Sequence, residues 1–363
     1  MKKIIALIMA LVMVLGFTAC GTGVDEATVT TAPQASQNPM SETTEPESGK
    51  TDVSNATIIC NYQPGVYAAG SPTFGYFEDF EKSLEEAFEG RLDLVTLPQD
   101  SMGDAELIEQ CMMGTCDMIN IGDMSFDIIS GKIGWAFLPM MYSDYDDVDA
   151  RYLDGWVSEG ITDALAEMGL VRVGYTEAGF RQVCNNKQPI EQMSDFDGIK
   201  LRVAQLSYLV DFYSGCGALP VAMANGEVPS AIEQGTIDGQ DNYFTAFYNL
   251  GTLDMTRYIT MLNYLYCANS ICLSQSFWDS LTPEDQELFY STAQEVSKRQ
   301  LKNFRDFEQN IIDEYVGNGT IEVVYPDDEF KAELKKVAMK VWETEAEKYD
   351  PEIMERVFEE FGI

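Results

Sequence analysis

Two arginines, Arg181 and Arg202, stand out within residues 179–244 of a chain whose formal net charge is −37. Between Gly134 and Ser297 the only other basic residues are Arg151, Arg172, Lys187, Lys200 and Arg257. An anion site here must draw on these side chains or on backbone N–H groups. Arg202 lies in Gly198-Ile199-Lys200-Leu201-Arg202-Val203, whose alternation predicts a strand with Lys200 and Arg202 on one face. A planar guanidinium holds a carboxylate through two parallel N–H bonds, whereas an ammonium offers a point charge. The chemistry to expect is capture of a small organic acid. An isolated buried charge is costly, so Arg202 without a ligand is expected to be open to water or paired with a carboxylate such as Glu227. A plainer reading fits the same spacing: strand arginines in routine surface ion pairs.

Composition removes several alternatives. There is no histidine, which excludes His-based catalytic triads, His general bases and His-containing zinc sites. No catalytic residue, cofactor or metal ligand is expected. Sixty acidic residues against 23 basic ones argue against nucleic acid and anionic membrane surfaces as partners. Of the eight cysteines, Cys111/Cys116 and Cys267/Cys272 share one spacing, and no CxxC pair is present. Free thiols are expected in preference to a disulfide framework.

The elements that would position the arginines read as follows. Thr57–Tyr62, Arg91–Leu97 and Gly114–Ile121 read as strands, with helices from Phe74 to Phe88 and from Gly103-Asp104 onward between them. Such alternation implies βαβ units and a largely parallel sheet, with ligands outside the carboxyl ends of the strands. That places the loops after Tyr62 and Ile121 near a ligand, including Asp123 and Ser71. Val148–Met168 reads as one helix stopped by Gly169. Val171–Tyr175 and Gly179–Val183 read as two strands. Asp238-Gly239-Gln240-Asp241-Asn242 reads as a strand running into a polar turn. Tyr258–Cys272 reads as a returning strand. Thr282-Pro283 opens a long helix that runs to about Val316 and is able to brace two domains.

The N-terminus has its own pattern. Lys2 and Lys3 precede an apolar run, Ile4–Phe17, that is too short to span a bilayer as a mature helix. Phe17-Thr18-Ala19-Cys20-Gly21 then reads as a lipoprotein cleavage box, with Cys20 lipidated. Plain secretion with Cys20 as an ordinary thiol is the alternative. Residues 21–55, rich in Ser, Thr, Pro, Gly and Glu, read as a disordered tether.

Gly198–Val203, Gly217-Ala218-Leu219-Pro220, Glu227-Val228 and Gln234–Asn242 together resemble the solute-binding proteins of TRAP (tripartite ATP-independent periplasmic) transporters. Leu138-Pro139 and Gly103-Asp104 extend the likeness to roughly residues 57–345. The resemblance implies an α/β, two-domain periplasmic-binding-protein-like fold, with a ligand cleft between the domains and a long helix spanning both. It implies that Arg202 pairs with the ligand carboxylate, that Arg181 assists and that Asn242 donates to the same ligand. Asp123, Ser71 and Phe244 are further lining candidates. Domain I is expected at 56–178 plus about 268–312, and domain II at 179–267 plus about 313–363. Ala204 and Tyr243 stand where the family often has proline. The implied protein is not an enzyme. It is an extracytoplasmic, lipid-anchored monomer that hands an organic acid to small and large membrane subunits. A lipoprotein serving an ABC transporter or a sensor, an extracellular enzyme acting on a carboxylate, and a structural surface protein remain the alternatives.

Overall fold

The structure, a computed structural model, describes residues 56–62, 72–98 and 102–362. The chain first lays down β1 (Ala56–Tyr62), α1 (Pro72–Ala87), β2 (Leu92–Pro98), α2 (Asp104–Met112), β3 (Met118–Gly122), α3 (Asp123–Ser130), α4 (Tyr145–Val148), α5 (Trp156–Glu167) and β4 (Leu170–Asn185). There follow β5 (Lys200–Val203), α6 (Ser207–Cys216), β6 (Leu219–Ala222), α7 (Val228–Glu233), β7 (Gly239–Tyr243), α8 (Phe244–Asn249), β8 (Tyr258–Thr260) and β9 (Tyr266–Ser274). The chain closes with α9 (Gln275–Ser280), α10 (Pro283–Gly317), β10 (Glu322–Val324), α11 (Asp328–Glu345) and α12 (Pro351–Phe361).

The strand order is β2-β1-β3-β9-β4-β7-β5-β6, with β8 joining β4 and β10 at the side. Pairing is parallel between β1 and its neighbours β2 and β3, and between β5 and its neighbours β6 and β7. It is antiparallel where β4 and β9 link the two halves. β4 is one 16-residue strand where the sequence reads as two. It pairs β9 up to Phe180, then β7 and β8. The second strand is expected to begin at Gly179, but Gly179 at φ +91° instead forms an irregularity inside the ladder. The expected helix over Val148–Met168 is likewise interrupted. Gly155 packs against the carbonyl group of Arg151 and separates a wide turn from α5. The short helices α3, α8 and α9 have too few residues for a periodicity to show.

α10 meets the expectation for a spanning helix. Thr282 accepts a bond from the Asp285 N–H at 3.1 Å, and Pro283 is the first helical residue. Near its start Phe289, Ala293 and Val296 pack on Phe77, Phe80, Phe88 and Leu94. Near its end Ile311 and Ile312 pack with Cys184, Phe247 and Ile259. Each fully buried Phe, Leu, Ile or Val among these contributes roughly 1.5–3 kcal/mol. No described helix is long and apolar enough to cross a membrane. Cys184, Cys216, Cys267 and Cys272 are buried free thiols, and Cys111 and Cys116 are buried as well.

Candidate ligand-binding site

A cavity of about 480 Å³ opens where the two halves of the sheet meet, within the ~300–1,000 Å³ usual for small-molecule sites. One wall comes from the carboxyl end of β3 and the starts of α2 and α3: Asp104, Asn120, Ile121 and Met124. The other comes from the carboxyl ends of β5, β6 and β7: Arg202, Ala204, Met223, Asn225, Asn242 and Tyr243. Between them the linking strands supply Ala178, Arg181, Cys267 and Asn269. The walls thus follow the rule that ligands of parallel sheets sit beyond the carboxyl ends of strands.

Arg181 and Arg202 both line this cavity but stand in different electrostatic situations. Arg181 is claimed by Asp241. Its Nε donates to the two carboxylate oxygens at 2.9 and 3.2 Å, and its Nη2 donates to the same carboxylate and to the Asp241 carbonyl oxygen at 3.1 Å. Tyr213 donates to Asp241 at 3.3 Å, and the Tyr264 hydroxyl donates to it as well. Asp241 is fully buried, so the pair neutralises itself inside the protein. The carboxylate beside it offsets the cost of burial and holds the Arg181 guanidinium well above its ordinary range.

Arg202 has no such partner. Its Nε and Nη2 donate to the Met223 carbonyl oxygen at 3.1 and 2.9 Å, and its Nη1 reaches the Asp241 carbonyl oxygen at 3.5 Å. It is only 4% exposed. Burial, reinforced by the neighbouring Arg181 charge, pushes its guanidinium down to about 10. The expectation that an unliganded Arg202 would be wet or paired with Glu227 is therefore corrected. Backbone carbonyls hold it, while the Glu227 carboxylate turns back to accept from the Ala224 N–H at 3.0 Å. Carbonyl dipoles orient the fork without cancelling its charge, and among the described residues no carboxylate lies within ion-pair distance of it.

The remaining candidates separate clearly. Asn242 lines the cavity, donates to the Asn225 side-chain oxygen at 2.9 Å and accepts from the Tyr243 N–H at 3.1 Å. Asp123 borders the cavity, but its carboxylate is fully buried behind it. It accepts from the Tyr152 hydroxyl and lies 3.8 Å from Arg172 Nη2. Phe244 is a correction: it starts α8 and its ring is fully buried with Phe247, Leu253 and Ile259, away from the cavity. Ser71 and Cys20 lie outside the described residues, as do the signal segment and the tether. Asp104, Asn120, Asn225, Met223, Asp241 and Asn269 are the site residues that the sequence reading passes over. Asp241 was visible within the Asp-Gly-Gln-Asp-Asn motif. It reads there as part of a turn, yet β7 is a strand whose Gln240, Asp241 and Asn242 are all buried.

Residues 65–348 match the family described as bacterial extracellular solute-binding protein, family 7. The chain is similar to the 2,3-diketo-L-gulonate-binding periplasmic protein of Escherichia coli K12. The two are 27% identical over 258 residues, which cover 68% of this chain and 78% of that protein. In solved structures its fold is similar to a TRAP periplasmic solute-binding protein from Sulfitobacter sp. NAS-14.1 with bound β-D-galacturonate. That match has a TM-score of 0.76 at 22% identity and covers 85% of this chain and 99% of the other. A TRAP periplasmic solute-binding protein from Chromohalobacter salexigens with bound D-glucuronate also has a TM-score of 0.76. It is 23% identical and covers 84% of this chain and 99% of the other.

Proposed function

The chain belongs to family 7 of the bacterial extracellular solute-binding proteins, and on that premise we propose that it is the receptor subunit of a TRAP transporter that captures a sugar acid through Arg202. The observation that carries this reading is a buried guanidinium lining a cavity, with carbonyl partners and, among the described residues, no carboxylate. A ligand carboxylate would supply the missing counter-charge, and two parallel N–H bonds would fix its orientation. Arg181, already neutralised by Asp241, frames the same end of the cavity, and Asn242 offers its amide beside it. Similar proteins bind 2,3-diketo-L-gulonate, galacturonate and glucuronate, which points to acidic sugars as the ligand class. The reading is of a receptor and not of an enzyme.

In the same reading the chain works as a monomer outside the cytoplasm, tethered by a lipid on Cys20, and delivers its ligand to the small and large membrane subunits. Residues 56–178 with about 268–312 form one closing domain, and 179–267 with about 313–363 form the other. The test is a thermal-shift and calorimetric screen of D-galacturonate, D-glucuronate and open-chain aldonates. A ligand at a hundred times its Kd stabilises the native state by about 2.7 kcal/mol. The expected result is a raised Tm with at least one sugar acid, lost in Arg202→Ala. Absence of binding across all the acids would overturn the assignment of ligand class.

A further inference from the structure

The charged groups around the cavity do not cancel evenly, and the residue left over at the far wall is an acid. Among the described residues, four charged ones line the cavity: Asp104, Asp123, Arg181 and Arg202. Arg181 is matched by Asp241, and Asp123 faces Arg172 at 3.8 Å. Among the described residues that leaves Arg202 without an anionic side-chain partner at one wall and Asp104 without a cationic one at the other. Among the described residues the Asp104 side chain accepts from one polar group, the neutral hydroxyl of Ser125 on α3. Among the described residues no cation lies within ion-pair distance of Asp104.

The two leftover charges share the cavity. Tyr243 lines the cavity with them, and its phenol feels Asp104 as well as Arg181 and Arg202. The two helix starts at the far wall offer no alternative place for an anion. α2 and α3 already carry Asp104 and Asp123 in their first turns, where a carboxylate answers the partial positive charge of the helix end. The rest of that wall is uncharged, with the carboxamides of Asn120 and Asn269 both donating to the Thr176 hydroxyl at 3.3 and 3.0 Å.

We propose that Asp104 is a specificity-determining residue that restricts the cavity to ligands bearing a single negative charge, with hydroxyl groups at the end remote from Arg202. This rests on the sugar-acid reading above and narrows it. A carboxylate acceptor favours a hydroxyl that donates to it and repels a second carboxylate, which would also lose its water on entering. Discrimination between two ligands needs such a repulsive element as well as an attractive one.

Aldonates and aldarates isolate the effect, because D-galactonate and D-galactarate differ only in a terminal CH2OH against a carboxylate. D-gluconate and D-glucarate form a second such pair. The measurement is calorimetric Kd at neutral pH for these four acids and for D-galacturonate and D-glucuronate, with wild-type protein, Asp104→Asn and Asp104→Glu. The quantity read is the ratio of the aldarate Kd to that of the tightest-binding monocarboxylate. The expected ratio is on the order of a hundredfold or more in the wild type. It should fall at least about tenfold in Asp104→Asn and persist in Asp104→Glu, which keeps the charge. Thermal unfolding of each variant verifies that it is folded. A wild-type ratio near one, or a ratio unchanged in Asp104→Asn, would overturn the inference while leaving the sugar-acid reading in place. Binding of none of the six acids would overturn that reading and this inference with it.

Discussion

Arg202 is a cation removed from water with no counter-ion among the described residues, and its behaviour follows from that. Burial and the Arg181 charge lower it to about 10, so it remains charged at neutral pH, and on the proposed reading an arriving carboxylate would offset the cost of its desolvation. Lysine at this position would keep the charge and lose the fork. The expected outcome for Arg202→Lys is a loss on the order of a hundredfold in affinity for the bound acid, read by calorimetry on protein with an unchanged melting profile. Near-native affinity would remove Arg202 from the site. Asp241 has a different role, since breaking a buried pair leaves Arg181 uncompensated. Asp241→Ala should cost about 3–5 kcal/mol of stability, measurable by denaturant unfolding. A cost below 1 kcal/mol would show that Arg181 finds water instead. The arginines could be picked out of the sequence because basic residues are so scarce. Asn225 and Asp104 could not, nor could the pairing of Asp241 with Arg181, because an acid or amide in an acidic chain carries no signal until its neighbours are known.

β7 shows why the polar motif misleads at the level of elements. Gly-Gln-Asp-Asn has the composition of a turn, yet here it is a central strand between β4 and β5. Its polar side chains are tolerated because each has a partner: Gln240 donates to Thr252 at 2.7 Å, Asp241 takes Arg181 and two tyrosines, and Asn242 takes Asn225. Gly239 is required by close approach, since a Cβ there would meet the carbonyl oxygen of Cys184 and lie 2.6 Å from Asn185 Cα. Gly239→Ala should therefore destabilise by about 1–3 kcal/mol, seen as a lowered Tm; an unchanged Tm would mean that β4 and β7 can part freely.

The amphipathic helices and apolar strands, by contrast, were legible because their periodicity reports directly on a buried face. The join of β4 and the break at Gly155 were not, because both depend on long-range pairing. A second element-level consequence lies on α10. Glu308 is buried beneath Gly179, accepts from the Tyr145 hydroxyl at 2.7 Å, and faces Glu177 on β4 and Arg305 on its own helix. Burial is the main reason its carboxyl rises from 4.5 to about 7. The folded chain thus holds a proton that the unfolded chain releases. This contribution to stability is full below about pH 4.5 and is lost as pH rises through about 7. Glu308→Gln should match the wild type near pH 4.5 and exceed it by a few kcal/mol at pH 8. Equal pH profiles of Tm for the two proteins would place the Glu308 proton outside the folding equilibrium.

At the scale of the whole molecule, the arginines and the acid belong to different halves of the sheet. Arg202 sits on β5 and Asp104 opens α2; β4, β9 and α10 run between these regions, and α11 and α12 pack on the segment after α3 as well. A sugar acid with its carboxylate on Arg202 and its hydroxyls toward Asp104 and Asn120 touches both halves at once. It therefore binds the closed arrangement more tightly than the open one, and the populations shift by that difference in affinity and no further. α10 can follow such a motion without unfolding, because Phe289 anchors its start to one half and Ile311 its end to the other. Between these anchors, Arg305 clamps Glu177 on β4 and Asp149, with bonds of 2.8 Å to Glu177 Oε2 and to Asp149 Oδ2. That fixes the helix where β4 carries its irregularity at Gly179, so bending is expected on either side of this clamp. Small-angle scattering should show a smaller radius of gyration on saturation with a bound sugar acid. Arg202→Ala at the same ligand concentration should keep the ligand-free curve. If a ligand of measured tight binding left the wild-type curve unchanged, closure would be wrong. A rigid cavity, with contacts to both halves already made before the ligand arrives, would then be the better description.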